Sequence, residues 1–402
     1  MIDKLVLHSP FKTKHLAWIG SDKNETAYIP IDSLPCDIET TGNIIRHPDG
    51  TKSFEELKTK FESLPSSHSG MAFKIFENGL NCDPFVMIQC SPAKLLQGHN
   101  LYGFDDLKKS GINMLALLSD VYPELYDMLD IPKTEVSEFD LNYSVFIENP
   151  ETKKLLLDHL RWVSKGQTKN RNDNYATTIY FGQKISRLKK LKVYSKFEEM
   201  LEDAKKMLKK GYKESAAIIK QLAGTDRAKQ AVRFEATIRK RFLERRAIPV
   251  NFFELSDYLI NNQWAYKTLF TEAWKDIFDA LSGQEIKIMN DETIYQAIHD
   301  AFHTVDERTG NIRTQKVNRL FQFYQTMKSL GYEHLKTTTS RSAFHRNITD
   351  LRVAGLSLST LQNLKKEEGA KIYQIARLIE INWDNQVPDD YQLPDDLYDA
   401  HG

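Results

Sequence analysis

The most reactive pattern in the sequence is a tyrosine followed by a lysine and a glutamate, in the segment KVYSKFEE. Tyr194, Lys196 and Glu199 have the spacing Y-x-K-x-x-E. A free tyrosine has a pKa of about 10, so only about 0.1% of it is phenolate at neutral pH. A nearby metal ion or Lys196 would favour the phenolate electrostatically. Attack of the phenolate on a phosphodiester would form a phosphotyrosine and release a 3′-OH, so resealing would need no ATP.

Carboxylates at three positions add a second element of the same chemistry. Asp140, Glu199 and Glu235 offer the hard oxygen ligands that Mg²⁺ or Mn²⁺ prefers. Such a metal would polarise the scissile phosphate and offset charge on the leaving oxygen. Each residue alone has a simpler interpretation, because an acid or a Y-x-K pattern on a strand is usually a solvated surface feature. Only the conjunction indicates phosphoryl transfer.

Three segments of alternating apolar and polar residues must position these side chains. They are residues 138–147, 186–197 and 231–240. Because side chains alternate between the two faces of a strand, Asp140, Tyr194 with Lys196, and Glu235 fall on the polar face of their segments. Glu199 follows five residues after Tyr194, where the strand runs into a helix. In an antiparallel sheet, the apolar faces would turn toward covering helices. We therefore expect the polar faces to lie together on the open side of the sheet.

The chain is neutral as a whole, but its charge is unevenly distributed. It contains 55 Lys and Arg and 55 Asp and Glu, and residues 151–250 carry 26 basic against 11 acidic residues. Residues 384–399 contain six aspartates and neither Lys nor Arg. A basic middle with an acidic tail indicates that one part only of the chain binds a polyanion. For the lysines in 205–213, the alternative is an ordinary solvated helical face.

The candidate DNA contacts are basic residues near the reactive strands and two arginines further along the chain. The set is Lys184, Arg187, Lys189, Lys190, Lys192, Arg233, Arg239, Arg341 and Arg346. The last two share one face of a predicted helix at 341–353, which follows a predicted helix at 315–330. The two helices would form a helix-turn-helix, whose second helix can enter a major groove. The alternative is a helix that simply packs in an all-helical domain.

The predicted fold class is α+β, with an antiparallel-sheet domain followed by an all-helical domain. Pro249 marks the boundary, because strand patterns dominate before it and helical patterns after it. Residues 1–248 would form the catalytic domain. Residues 249–402 would form the helical C-terminal domain, with the candidate helix-turn-helix and the acidic tail.

Several classes of protein are excluded by simple features of the sequence. Three cysteines are too few for a disulfide framework, which fits a reducing compartment. The chain has no stretch of about 18 uninterrupted apolar residues, and its first residues lack the apolar region of a signal peptide. We therefore expect a cytoplasmic protein without a membrane partner.

The reactive segments also resemble a known family, the gene II replication proteins of filamentous bacteriophages, which are related to rolling-circle replication initiators. The resemblance is carried by TTIYFGQKISRLKKLKVYSKFEE (177–199) and AVRFEATIRKRFL (231–243). It extends to MIDKLVLHSPF at the start of the chain and to FESLPSSHSGMAFKI (61–75), SPAKLLQGHN (91–100), YDMLDI (126–131) and HLRWVSKGQTK (159–169). The similarity covers nearly the whole chain.

The resemblance implies a role for individual residues. Tyr194 matches the nucleophile of the family's Y-x-K-x-x-E motif, with Lys196 as its catalytic partner. Asp140, Glu199 and Glu235 match its candidate metal ligands. The sequence contains no His-x-His triplet, the metal motif of many related nickases, which agrees with a carboxylate site. Phe139 stands before Asp140 where related initiators often have Ile preceded by Arg, so one DNA contact of the family is in doubt.

The fold and function implied are those of a rolling-circle initiator, with a relaxase-like endonuclease domain. The protein would nick the plus strand of the double-stranded phage origin through a 5′-phosphotyrosine and later circularise the displaced single strand. Host helicase, DNA polymerase and single-strand-binding protein would be its partners in the bacterial cytoplasm, and self-association on the origin is left open. Two alternatives remain: a non-catalytic origin or operator regulator, and a metal nuclease that uses water.

Overall fold

The computed structural model describes most of the chain. The described residues are 1–19, 26–30, 33–35, 40–46, 52–59, 62–64, 69–77, 83–161, 178–183, 185–262, 264–281, 285–286, 291–305, 312–356, 358–364, 373–374 and 379–397. Lys184, one of the predicted DNA contacts, lies outside them.

Antiparallel strands dominate the first 240 residues. The strands are β1 (Ile2–Pro10), β2 (Ala17–Ile19), β3 (Thr26–Tyr28), β4 (Thr40–Arg46), β5 (Lys52–Thr59), β6 (Glu62–Leu64), β7 (Met71–Phe76), β8 (Phe85–Cys90), β9 (Glu135–Phe146), β10 (Thr178–Phe181), β11 (Lys189–Ser195) and β12 (Ala231–Arg239). Eight of them form one sheet in the order β10-β11-β12-β9-β1-β8-β7-β6. The pairs β2–β3 and β4–β5 form separate two-stranded sheets.

Helices follow or connect these strands. They are α1 (Pro92–Gln97), α2 (Leu107–Val121), α3 (Pro123–Met128), α4 (Pro150–Leu160), α5 (Lys196–Lys209), α6 (Lys213–Ala223), α7 (Asp226–Gln230), α8 (Lys240–Glu244), α9 (Phe252–Asn261), α10 (Ala265–Leu281), α11 (Asp291–Phe302), α12 (Gln315–Leu330), α13 (Tyr332–Thr338), α14 (Arg341–Val353) and α15 (Leu358–Asn363). The predicted α+β class is confirmed. The helical region also contains two short antiparallel pairs, Glu285–Ile286 with Tyr373–Gln374 and Thr304–Val305 with Ile312–Arg313.

The register of the three central strands brings the predicted segments side by side. In β11 and β12, Lys192 pairs with Glu235. In β12 and β9, Thr237 pairs with Asp140. Paired residues point to the same face of a sheet, so the polar residues of all three strands share one face as predicted.

The apolar face of these strands packs against aromatic residues of α10. Trp274 makes edge contacts with Phe181 and Phe234, at ring-centroid distances of 5.8 and 5.2 Å. Tyr143 of β9 contacts Phe270 in the same helix at 4.8 Å. These large side chains are removed from water, and burial of each contributes roughly 1.5–3 kcal/mol.

The polar face is not open at its β11 end, contrary to the prediction. The connection between α1 and α2, residues 98–106, crosses this face and is called the covering segment below. Arg233 donates hydrogen bonds to the main-chain oxygens of Asn100 and Leu101 in this segment. Leu101 packs in a cluster with Met200 and Ala204 of α5. The covering segment is therefore held by both polar and apolar contacts, and the candidate catalytic residues beneath it are buried.

Two compact units divide the chain, and their limits differ from the predicted boundary at 248. One unit comprises residues 1–146, 173–275 and 381–402, and the other 147–172 and 276–380. The first unit extends past Pro249 because α9 packs on α2, where Phe252 fills the space beside Gly111. In the second unit, α11 to α15 bury a shared cluster that includes Leu320, Phe344 and Leu351.

The candidate helix-turn-helix contains an additional helix. α12 and α14 have the predicted limits, but α13 lies between them and replaces the expected turn. Arg341, His345 and Arg346 are exposed on α14, as a DNA-reading face would require. None of the helices that the structure describes has the length and apolar character needed to cross a membrane.

Candidate active site

Tyr194 is buried on the polar face of the central sheet. It lies near the end of β11, where it pairs with Arg233 of β12 and Thr178 of β10. Its hydroxyl donates a hydrogen bond to Oε2 of Glu235 at 3.1 Å. The side chain is 4% exposed. The sheet therefore holds the phenol in contact with a carboxylate that can accept its proton.

Glu235 and Asp140 form a buried carboxylate pair next to this phenol. Oε1 of Glu235 accepts from Nζ of Lys192 at 2.6 Å. Burial, followed by the charge of Glu235, raises the pKa of Asp140 well above its usual range. Oδ1 of Asp140 has no hydrogen-bond partner within the described part of the chain. Like charges in one buried place oppose each other's ionisation, so the pair favours a bound proton or cation.

The surroundings of Tyr194 disfavour its phenolate. Burial raises the pKa of the tyrosine well above its usual range, and the charges of Glu235 and Glu199 raise it further. Only Arg233 acts in the opposite direction among the main contributors. The tyrosine is thus a neutral phenol in this arrangement, and its proton must be removed as it reacts.

Lys196 does not take the predicted place beside the phenol. β11 ends at Ser195 and α5 begins at Lys196, so the chain turns away from the strand between the two motif residues. Nζ of Lys196 is fully buried and donates to Oδ1 of Asn100 at 2.8 Å and to Oε2 of Glu199 at 2.5 Å. Burial lowers the pKa of Lys196 to about 8, although Glu199 opposes this effect. Lys196 therefore connects α5 to the covering segment.

A second buried carboxylate, Asp3, was not singled out from the sequence. It accepts hydrogen bonds from the side chains of Ser91, Asn100 and Asn142. Burial alone would raise its pKa, but the charges of Lys196, Lys94 and Arg233 outweigh burial and lower the pKa below its usual range. The resembling segments MIDKLVLHSPF and SPAKLLQGHN contain Asp3, Ser91 and Asn100, and this was the available signal for them.

Comparisons with known proteins match the chain to one family over almost its whole length. Residues 1–261 match the N-terminal family of the phage replication-associated protein, and residues 307–397 match its C-terminal family. The chain belongs to this gene II replication-associated protein family. It is 32% identical to the replication-associated protein of Salmonella phage IKe, over 99% of this chain and 97% of that protein. It is 31% identical to the replication-associated protein of Enterobacteria phage M13, over 98% and 99%. No solved structure matches it.

The metal ligands expected for this gene II family member are only partly brought together. Asp140 and Glu235 are neighbours, whereas Glu199 is paired with Lys196. Within the described ranges, no three His, Cys, Asp or Glu side chains lie close enough to hold a metal ion. The predicted triad of metal ligands is therefore not formed. The helix that begins at Lys196 places Glu199 beside the ammonium group of Lys196 instead of beside Asp140 and Glu235. The remaining pair, with its unpartnered buried oxygen, has the donor chemistry that suits Mg²⁺ or Mn²⁺.

Arg233, a predicted DNA contact of this gene II family member, has a structural position instead. The residue is 2% exposed, and its guanidinium donates to Ser144 Oγ at 3.4 Å as well as to the two main-chain oxygens of the covering segment. Its donors are thus already used inside the protein. We correct the prediction accordingly: Arg233 fixes the cover of the site and is not presented to DNA.

The other predicted cations of the sheet unit differ in availability. Nζ of Lys189 donates to the main-chain oxygen of Ala273, and Lys192 is paired with Glu235. Arg239 contacts Glu138 at 3.0 Å but remains half-buried at the edge of the polar face. Lys190 is likewise half-buried, whereas Arg187 is exposed. Among the predicted DNA contacts of the sheet unit, Arg187, Lys190 and Arg239 are therefore the accessible ones that the structure describes.

Proposed function

We propose that this gene II family protein starts rolling-circle replication by cutting the plus strand of its phage origin through Tyr194. The observation that carries the proposal is the hydrogen bond from the Tyr194 hydroxyl to Glu235 at the family's Y-x-K-x-x-E position. A nucleophile in contact with its base is the arrangement that covalent catalysis requires. Family membership supports the proposed substrate, the DNA of a filamentous phage.

The chemistry follows from the order of these groups. Glu235 accepts the phenol proton while the Tyr194 oxygen attacks phosphorus, and the bond from phosphorus to the 3′ oxygen breaks. The products are a 5′-phosphotyrosine and a strand that ends in a 3′-OH after that oxygen takes up a proton. The phosphodiester energy is retained in the phosphotyrosine. Attack by a 3′-OH on phosphorus breaks the bond to the Tyr194 oxygen, which takes back a proton, and joins the ends of the displaced strand.

The carboxylate pair is the proposed place of the cofactor. Asp140 and Glu235 would hold Mg²⁺ or Mn²⁺, while Glu199 stays with Lys196. When bound, the metal supplies positive charge at the scissile phosphate and the leaving oxygen. Lys192 already brings one positive charge to Glu235 from the neighbouring strand.

Access to the site requires a change in its cover. Tyr194 and Glu235 are 4% and 2% exposed, so a phosphate reaches them only when the covering segment shifts. Origin DNA and the displaced single strand are the proposed ligands that drive this shift. Host helicase, DNA polymerase and single-strand-binding protein are the proposed partners, the bacterial cytoplasm is the proposed location, and self-association on the origin stays open.

The first test is a covalent-linkage assay with labelled origin DNA and Mg²⁺, resolved on a denaturing gel. Wild-type protein should give a band of DNA-linked protein, and Tyr194→Phe should give none. Tyr212→Phe, between α5 and α6, is the matched control and should keep the band. If Tyr180→Phe also loses it, two tyrosines share the chemistry. Nicking without a linked band would indicate a nuclease that uses water, and binding without nicking would indicate a non-catalytic regulator.

A further inference from the structure

The polar face of the sheet continues beyond the catalytic strands, and there it is accessible. Val6 of β1 pairs with Glu138 of β9 on one side and with Gln89 of β8 on the other. These residues therefore share the face of Asp140 and Tyr194. Unlike the catalytic end, this part of the face contains half-buried side chains, among them those of Lys4 and Met87.

A groove of about 660 Å³ lies on this part of the face. Its walls contain Arg187, Arg239, Lys240 and Arg241, and its floor includes Val6. Arg239 is paired with Glu138 and Lys240 with Glu135. Arg187 and Arg241 are exposed and form no ion pair with any described residue. Two acids, Glu138 and Glu244, line the groove against these four cations, so the groove has a net positive charge.

Lys190 links the groove to the catalytic residues. It lies on β11 with Lys192 and Tyr194 on the same face, so its position is about 13 Å from the tyrosine at the rise of an extended strand. Burial lowers its pKa, the positive charges of Arg239 and Lys4 lower it further, and the negative charge of Glu138 only partly opposes them. Cations that repel one another in this way favour an incoming anion.

A row of stacked rings lies beside the groove on the same face. Phe76 of β7 stacks on Phe85 of β8, with ring centroids 4.7 Å apart and 13° between the planes. Phe85 stacks on His8 of β1 at 4.3 Å and 24°. Burial lowers the pKa of His8 to about 4, so it is a neutral ring at physiological pH. All three rings are half-buried, and Lys74 lies 5.0 Å from the centre of the Phe76 ring.

We propose that the groove and the ring stack together bind single-stranded DNA and lead it toward Tyr194. Cationic grooves that follow the backbone, combined with rings on which bases stack, are how proteins bind single strands. The groove has a volume of about 660 Å³ for a short run of nucleotides, and the half-buried rings suit the unstacked bases of a single strand rather than the paired bases of a duplex. The inference rests on the proposed function in one respect, since the bound strand is the one that Tyr194 cuts.

The test measures binding of a labelled 20-nucleotide oligothymidylate by the full chain at several salt concentrations. Arg187→Ala with Arg241→Ala should weaken binding about tenfold and reduce the slope of log K against log salt by about 1.4, because each phosphate contact to a single strand contributes about 0.7. Lys209→Ala with Lys210→Ala removes two exposed charges elsewhere and should change neither quantity. Phe76→Leu, at the end of the row of rings, keeps an apolar side chain but loses a ring face that no other ring of the row occupies, and should weaken binding about tenfold with an unchanged slope.

Several outcomes would overturn this proposal. The wild type would not bind oligothymidylate, the Arg187/Arg241 variant would keep the affinity of the wild type, or the Lys209/Lys210 control would lose as much affinity as that variant. If the Arg187/Arg241 variant lost as much affinity for a duplex oligonucleotide as for oligothymidylate, the groove would be a general phosphate site. That result would also contradict the single-strand assignment. Thermal unfolding of each variant identifies losses due to misfolding. The Lys209/Lys210 control should form the linked band as the wild type does, whereas a linked band in Tyr194→Phe would contradict the proposed chemistry alone.

Discussion

At the scale of single residues, the site is defined by which carboxylate each cation neutralises. Lys196 pairs with Glu199, and Lys192 pairs with Glu235. Oδ1 of Asp140 has no hydrogen-bond partner within the described part of the chain, and the residue is only 7% exposed. An unpaired carboxylate at such a depth is costly unless it is protonated or bound to a cation. This difference separates Asp140 from Glu199 as a metal ligand.

We therefore expect Asp140→Asn and Glu199→Gln to affect metal dependence differently. Asp140→Asn removes the unpartnered carboxylate and should raise the Mg²⁺ concentration for half-maximal nicking by about tenfold or more, a range typical for altered metal sites. Glu199→Gln should leave that concentration within about twofold of the wild type. Direct titration with Mn²⁺ provides a second measurement. Equal shifts in both variants would restore Glu199 to the ligand set.

At the scale of secondary-structure elements, Asp3 joins three segments that are distant in the sequence. From β1 it accepts hydrogen bonds from Asn142 of β9 and from Asn100 in the covering segment. Asn100 in turn accepts from Lys196 at the start of α5. The charge of Asp3 thus adds a negative charge beside the buried cations Lys196 and Arg233, and removing a buried charge that is stabilised in this way is strongly destabilising.

Asp3→Asn should lower the free energy of unfolding by about 3 kcal/mol at pH 7. The folded pKa of Asp3 lies below its unfolded value of about 3.9, so its contribution is present above roughly pH 5 and is lost as the pH falls. The difference between wild type and variant should therefore shrink from pH 5 toward pH 3. Denaturant unfolding at several pH values measures this.

The control for this prediction is Asp257→Asn. Asp257 is exposed and lies 3.7 Å from Lys108, so its ion pair contributes at most about 1 kcal/mol. Its variant should show a small effect that does not change with pH. A difference for Asp3→Asn that stays constant between pH 5 and pH 3 would mean that folding does not lower the pKa of Asp3.

At the scale of the whole molecule, the end of the chain belongs to the sheet unit. Trp383 contacts Tyr143 at 4.7 Å, and the side chain of Gln386 bonds to both main-chain groups of Ser144 in β9. Lys109 of α2 pairs with Asp396 at 2.7 Å. The acidic tail is therefore in part a structural segment that packs on the catalytic unit.

Trp383→Ala should consequently destabilise the sheet unit, by about 2 kcal/mol for the loss of a partly buried aromatic side chain. Unfolding followed by circular dichroism measures the change, and the covalent-linkage assay shows whether the site is affected. Leu393→Ala is the control in the same segment, because Leu393 is 62% exposed and should contribute little. Equal stability of both variants would show that the segment does not support the sheet.

The sequence alone determined the local features of this protein. The alternation in 138–147 and 231–240 predicted two strands and their polar faces, because the period of two is a property of each strand by itself. The Y-x-K-x-x-E spacing also identified the chemistry that Tyr194 is proposed to perform. The tertiary structure decided which partners these residues have. Asn100 reaches Lys196 across 96 positions, and this contact arises from helix and segment packing that no local period encodes. Packing also buries Tyr194 and Arg233, separates Glu199 from Asp140, and leaves the accessible cations at the other end of the polar face.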